Sequence, residues 1–500
     1  MEQKRCEDTV MKKLYVAVVV YLYIPLMLFI CMWLKIWIAI PVAAATVAAL
    51  FFGVRRMVRE NEQEWLFSWW QMCLIYIGFV LVCILCGQGD LFYQDDDWRL
   101  HHAILYDLVE YSWPVVYKDD VLLTYYLGQF ITPAFVGKML GHSRVVALWA
   151  QVFWNALGLM LAYLFLCQHL KTKSAVRKII VFFVFLLWSG APNLGTLLYQ
   201  ATGHDVTLCS FKWIDLNRIK VHFAPSFDAL RGSFQHVIGP WICCSMFLHH
   251  KKSYGLYILI GLPLFFSSTF GFVYLAATMM AYCAFQMVFG KEWKNGIREI
   301  FSKENLLLLP LAAVILVYLS GNVFAEKPYG MGFDLLNMFT RMDFYLIFIL
   351  VEFVGYFVFL FRENRKNPLY YILLVELLLI PFVSLGMFND LCSRGSIPAR
   401  FLLMVLCLEQ LFRYGIKNWR NIAIALIFCI GAYNEIQEVQ MIVRETAEYG
   451  VGSEEILDNS FKTLNGKGGN KELRMDEAYN YYTLNYSGSW FYHIARKNGD

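Results

Sequence analysis

Residues 66–102 read LFSWWQMCLIYIGFVLVCILCGQGDLFYQDDDWRLHH. The first part, 66–86, is apolar apart from Ser68 and Gln71. It matches the roughly 20 residues that cross a bilayer as a helix. The character then changes abruptly. Gly87-Gln88-Gly89 interrupts the apolar run, and an acidic stretch follows that ends in Asp95-Asp96-Asp97. Between Gly87 and Val121 eight acidic residues stand against two basic ones. A membrane span therefore delivers the chain directly into a carboxylate-rich loop.

Working outward, the same apolar signal recurs at 14–34, 36–54, 145–167, 177–191, 234–249, 254–270, 271–289, 305–320, 343–361, 369–387, 398–413 and 420–435. Apolar residues make up 59% of the 500 residues and charged ones 16%. Water-soluble domains run nearer a quarter charged, so lipid has to cover part of this surface. The sequence predicts an all-α polytopic membrane protein with about 11–13 transmembrane helices. Residues 1–60 form an N-terminal hairpin with an uncleaved first span, and 61–435 the core. Residues 436–500 form a polar, aromatic-rich tail. The stretch 254–289 reads as two spans, or as one span plus a re-entrant piece at Ser267-Ser268-Thr269. The net charge of +4 is small and gives no indication of a nucleic-acid partner.

Basic residues cluster in alternate connections: Lys4 to Lys13, Arg55 to Arg59, Lys171 to Lys178, Lys251-Lys252, Lys291 to Lys303, Arg362 to Lys366 and Arg413 to Arg420. The positive-inside rule assigns these to the cytoplasm, with the N-terminus. The long connections 87–144, 192–233, 321–342 and 388–397, with the tail, then share the outer side. Of the 13 cysteines only Cys209 and Cys392 fall in outer loops, where a disulfide is chemically permitted.

Downstream of the aspartates, Leu100, Ile104, Leu108 and Tyr111 recur at helical spacing, predicting an amphipathic helix flat on the interface. Leu123, Tyr126, Leu127 and Phe130 predict a second. One aspartate before a helix serves as an N-cap, but capping does not require three. The chemical alternative is a general base, because a carboxylate beside other carboxylates is harder to ionise and becomes a better base near neutral pH. Asp95 and Asp97 could also hold a divalent cation such as Mg or Mn. Among the outer-loop cations Arg394, Arg231, Lys327, Arg218 and Lys220 are candidates for binding an anion. Arg400, just inside the span that opens at Pro398, is costly unless paired or facing a cavity. His101, His102, His204, Gln235 and His236 are candidate substrate contacts, each also readable as an interfacial polar residue. The tail aromatics, including Tyr481 and Tyr482, favour packing over sugar stacking.

The acidic motif in the first outer loop, followed by two surface helices, resembles the GT-C superfamily of integral membrane glycosyltransferases. Segments 97–103, 123–128, 235–239 and 394–399 also look like those of bacterial membrane proteins of this type. The resemblance covers residues 60–290. It implies a GT-C-like fold in the bacterial cytoplasmic membrane. It further implies a polyprenyl-phosphate-linked sugar as donor, and a glycan, lipid or protein acceptor outside. Asp95, Asp96 and Asp97 occupy the place of the catalytic carboxylate. The alternatives are a polysaccharide polymerase or ligase, or a transporter. Transporters usually place ionisable groups in mid-membrane.

Overall fold

The computed structural model describes residues 2–60, 64–201, 214–216, 219–291, 293–323, 333–335, 339, 342–385, 389–459, 461–465 and 479–497. The apolar stretches are helical, since a backbone in lipid must satisfy its own N–H and C=O groups. In chain order the helices are α1 (Glu2–Trp33), α2 (Ile36–Glu60), α3 (Trp69–Leu85), α4 (Trp98–Glu110), α5 (Ile131–Met139), α6 (Arg144–His169), α7 (Ala175–Leu187) and α8 (Pro192–Ala201). Then come α9 (Ser226–Ser233), α10 (Ile238–His250), α11 (Tyr257–Ser267), α12 (Thr269–Phe289), α13 (Trp293–Ile300), α14 (Lys303–Leu306) and α15 (Leu309–Val323). The last group is α16 (Met342–Ile349), α17 (Gly355–Asn364), α18 (Pro368–Leu379), α19 (Asp390–Gly395), α20 (Ile397–Tyr414) and α21 (Trp419–Tyr449). A π-helical turn, Leu350–Val354, joins α16 to α17.

The protein is an all-α polytopic membrane protein, with fewer full-length spans than the hydropathy pattern predicts. Among the described residues seven helices are individually long and apolar enough to cross a bilayer, and two bent pairs bring the number to nine. Helices occupy all thirteen expected stretches, but α3, α11 and α18 are shorter apolar helices. Apolar composition reports burial in protein and burial in lipid alike, so the pattern overcounts. Residues 254–289 form two helices, broken at Ser268.

Three other expectations change. α4 is not a surface helix: His101 to Val109 are all buried, because α5, α6 and the C-terminal segment enclose it. The second predicted surface helix is instead the strand Val121–Leu123, a 3-10 turn and α5. That strand pairs antiparallel with Val116–Tyr117 on one side and Tyr482–Thr483 on the other. The tail does not begin at 436, since α21 continues unbroken to Tyr449. Cys392 is a free, buried thiol, and Cys209 lies outside the described residues.

α6, 26 residues and roughly 39 Å long at 1.5 Å per residue, links the two ends of the bundle. At one end Arg144 pairs with Glu110 beside the acidic loop (3.1 Å), and at the other His169 meets Glu409 (2.7 Å). The His169 end gathers the expected cytoplasmic charges. Arg56 contacts Glu60 and Glu299, Glu60 accepts a hydrogen bond from Ser253, Lys173 pairs with Glu64, and Arg177 lies over Phe412. The Arg144 end holds the acidic loop.

Candidate active site

The acidic turn is fixed by its neighbour in sequence, Gln94. Its side chain donates to Gly87 O (2.7 Å) and Asp90 Oδ1 (2.9 Å) and accepts from Asp458 N (3.1 Å). Its backbone N–H donates to Ile456 O. Loop and C-terminal segment are thus tied at one residue. Gly87 turns the chain at φ +90, and a Cβ there would lie 3.2 Å from the Trp98 indole, which is fully buried beneath the turn.

Asp97 sits at the N-cap position of α4, yet its side chain makes no capping hydrogen bond. Its carbonyl accepts from Leu100 N and His101 N instead. The capping role predicted for an aspartate here is therefore not used, and the carboxylate lines a cavity of about 380 Å³. Asp95 lines it too, whereas Asp96 between them does not.

Three further elements close the cavity. The short helix α9 brings Asp228 and Arg231, and α19 brings Asp390 and Arg394. The extended part of α21 brings Glu438 and Met441. Arg231 Nη2 lies 3.0 Å from Asp95 Oδ2 and 3.5 Å from Glu438 Oε2. Arg394 Nη1 lies 3.5 Å from Asp390 Oδ2, four residues earlier on the same turn. Gly232 fits between the two aspartates: a Cβ there would be 3.4 Å from Asp97 Oδ2 and 3.7 Å from Asp95 Oδ2.

Five carboxylates thus face two guanidiniums, and this excess sets the electrostatics. Asp97 is accessible from the open cavity but crowded by protein elsewhere. Burial pushes its carboxyl up to about 7, with the Asp95 charge the next contributor. Asp390 and Asp228 add to the rise, and Arg394 opposes it. Burial works against the charge on Arg231, but Asp95, Asp228 and Glu438 more than offset it and its pKa is raised. Arg231 also keeps two buried donors, Nε and Nη1, with no hydrogen-bond partner among the described residues. The cavity therefore combines a carboxyl that titrates near neutrality with cationic donors to spare.

His101, His102, His236 and Gln235 form the backing of this cavity, whereas His222 is part of its wall. His101 is buried and held neutral, its pKa lowered by burial to about 3, with Nε2 3.4 Å from Gln235 Nε2. Gln235 in turn donates to the Tyr125 hydroxyl (3.2 Å). His102 pairs with Asp90 (3.0 Å), and His236 Nδ1 meets Ser268 Oγ (3.0 Å). Arg400 lies deeper, bonding Ala224 O, and lines a separate small void. His204, Lys327 and Arg218 lie outside the described residues. Lys220 lies in the strand Ile219–Val221.

The sequence pattern missed Asp228, Asp390 and Glu438. Glu438 was hidden because the apolar run ends near 435 while the helix continues. The spacing of Ile436, Val439 and Met441-Ile442 carries that continuation faintly.

Tyr125 links the cavity to a second feature. It stacks near Tyr481 (ring centroids 4.5 Å apart), and both phenols lie within electrostatic reach of Asp97 and Arg394. Tyr125 also lines an apolar groove of about 210 Å³ with Phe265, Leu316 and Leu319. At Leu316 and Ser320 this groove meets another of about 550 Å³, beside Val317, Leu484 and Trp490. Among the described residues no group of three or more His, Cys, Asp or Glu side chains is arranged to hold a metal ion. Comparison of the chain with family models, with curated proteins and with solved structures gave no match in any of the three.

Proposed function

We propose that this protein is a membrane glycosyltransferase that moves a sugar from a polyprenyl-phosphate donor to a glycan, lipid or protein acceptor of the cell envelope. The reaction takes place on the non-cytoplasmic face of the bacterial cytoplasmic membrane. The observation that carries the reading is Asp97, a carboxyl raised to about 7 in a cavity that also presents Arg231 and Arg394. A general base works best when its pKa lies near the working pH.

Asp97 takes the proton of the acceptor hydroxyl as that oxygen bonds to the anomeric carbon. The bond from that carbon to the phosphate oxygen breaks on the opposite face, and the lipid phosphate leaves with the electron pair. Attack by one nucleophile in one step inverts the anomeric centre, unlike the double displacement of retaining hydrolases. Arg394 and Arg231 meet the phosphate, since guanidinium binds such oxygens in a bidentate way and stays charged when partly dehydrated. The apolar groove beside Tyr125 offers a seat for the prenyl chain. A divalent cation, if one is used, would rest on Asp97 and Asp95 in competition with Arg231, which engages Asp95, and no step above needs it.

A second reading, a transporter, draws on Glu352, Arg400 and Glu435, which are buried within the spans. Radiolabel transfer from a panel of polyprenyl-phosphate sugars decides between the two. Transfer by the parent and its loss in folded Asp97→Asn supports the enzyme. No transfer from any donor, or full transfer by Asp97→Asn, overturns it.

A further inference from the structure

The charges that favour the transporter reading have another geometry-based explanation. α19–α20 and α21 each supply side chains to the cavity and a charged one deeper in the bundle. On the first pair Arg394 lines the cavity and Arg400 follows six residues on, roughly 9 Å further along the helix. On α21 Glu438 lines the cavity and Glu435 stands one turn below it.

The two deeper residues grip the same short piece of chain. Arg400 Nη1 donates to Ala224 O. Glu435 Oε2 accepts from Phe227 N (3.0 Å) and Asp228 N (3.1 Å), the first free amides of α9. A carboxylate there satisfies orphan donors and favours the positive end of the helix dipole. Arg400 lies within electrostatic reach of Glu435 and of Glu352. Arg400 is 5% exposed and Glu435 0%. Charges this deep are expensive in a membrane protein, and paired residues of this kind mark function. Their common target is α9, the helix that holds Arg231 against Asp95.

We infer that Glu435 and Arg400 are positioning residues: from within the membrane they clamp residues 224–228 and so set the direction in which α9 presents Arg231 to the cavity. The consequence for turnover rests on the transferase reading, whereas the placement of α9 does not.

The test reads α9 directly. Ser233 lines the cavity at the end of this helix. Ser233→Cys is made with Cys31, Cys73 and Cys429, the more accessible thiols among the described residues, and with Cys6 and Cys209 all replaced by alanine, and is labelled with a charged, membrane-impermeant maleimide. Glu435→Asp keeps the charge but withdraws the carboxylate by one methylene, out of reach of the two amides. It is expected to change the labelling rate roughly fivefold or more, while Glu435→Gln, which retains an acceptor oxygen, stays within about twofold of the parent. Arg400→Lys keeps the charge, loses the guanidinium bond to Ala224, and should behave like Glu435→Asp. It also serves as the test if Glu435→Asp does not elute as a folded protein. Unchanged labelling in a folded Glu435→Asp or Arg400→Lys overturns the inference. In a transfer assay Glu435→Asp should lower kcat about tenfold or more with KM within about twofold, because a small misplacement of a reacting group costs rate more than binding. An equal loss in both, or none, overturns the functional half. If no donor supports transfer, the transferase reading fails while the labelling result still decides the clamp.

Discussion

At the end of the bundle where α2 finishes, Arg56 is shared between Glu60 and Glu299, His169 has Glu409, and Lys173 has Glu64. At the other end, among the described residues, Asp95, Asp97, Asp228, Asp390 and Glu438 share one cavity with Arg231, Arg394 and His222. The first set is closer to balance, three basic side chains against four carboxylates, and is partly exposed, where such pairs contribute little and tolerate change. The second leaves negative charge in excess in a crowded cavity, and the cost appears as a carboxyl that resists ionisation. Strained electrostatics of this kind cluster at functional sites. Local balance of charge, not the amount of charge, separates one end of the bundle from the other.

The sharpest way to break the comparison is to neutralise one carboxylate at each end. Asp97→Asn should lower turnover about 10²–10⁴-fold, the range of a lost general base, while Glu409→Gln leaves turnover within a few-fold. Equal losses measured in the same transfer assay would erase the distinction between the ends. Next in size is Arg394→Ala. Removing one preorganised cation from a developing anion should cost about 10²–10³-fold in kcat, and the same assay with varied donor checks it.

The pH profile sharpens the argument further. A base works unprotonated, so turnover should rise with pH and level off above about 7, the raised value of Asp97. Asp95 is part of the cause of that rise. Asp95→Asn should therefore move the limb of the kcat/KM profile to lower pH, whereas removing Arg394, which favours the anion, should move it higher. A limb unmoved by Asp95→Asn would detach the base from this cavity. The smallest effect belongs to the basic end. Arg56→Ala should cost about 1 kcal/mol or less of stability, seen as a slightly lower Tm in detergent, with turnover unchanged.

How far the sequence reaches can be followed through particular residues. The span 66–86 and the aspartates after it were legible because apolar length and a run of like charge are one-dimensional signals. Asp95, Asp97, Arg231 and Arg394, named from the sequence, share one cavity. The burial of His101 and His102 was not legible, because a polar residue in a loop looks accessible until its neighbours are known. His101 is in fact enclosed by Trp98, Phe130 and Phe234. The pairing of Val121–Leu123 with Tyr482–Thr483 was not legible at all, since strands of two or three residues joined across more than 350 positions leave no periodicity to read.

By itself, then, the sequence determined that lipid is this chain's solvent and that acidic chemistry follows the third apolar run, because composition and hydropathy act residue by residue. Only the tertiary structure decided which aspartates line the cavity. Asp95, Asp96 and Asp97 are chemically identical in the chain. They differ once α9, α19 and α21 surround the turn, because a carboxyl's ionisation depends on the charges and exclusion of water around it, which are properties of packing.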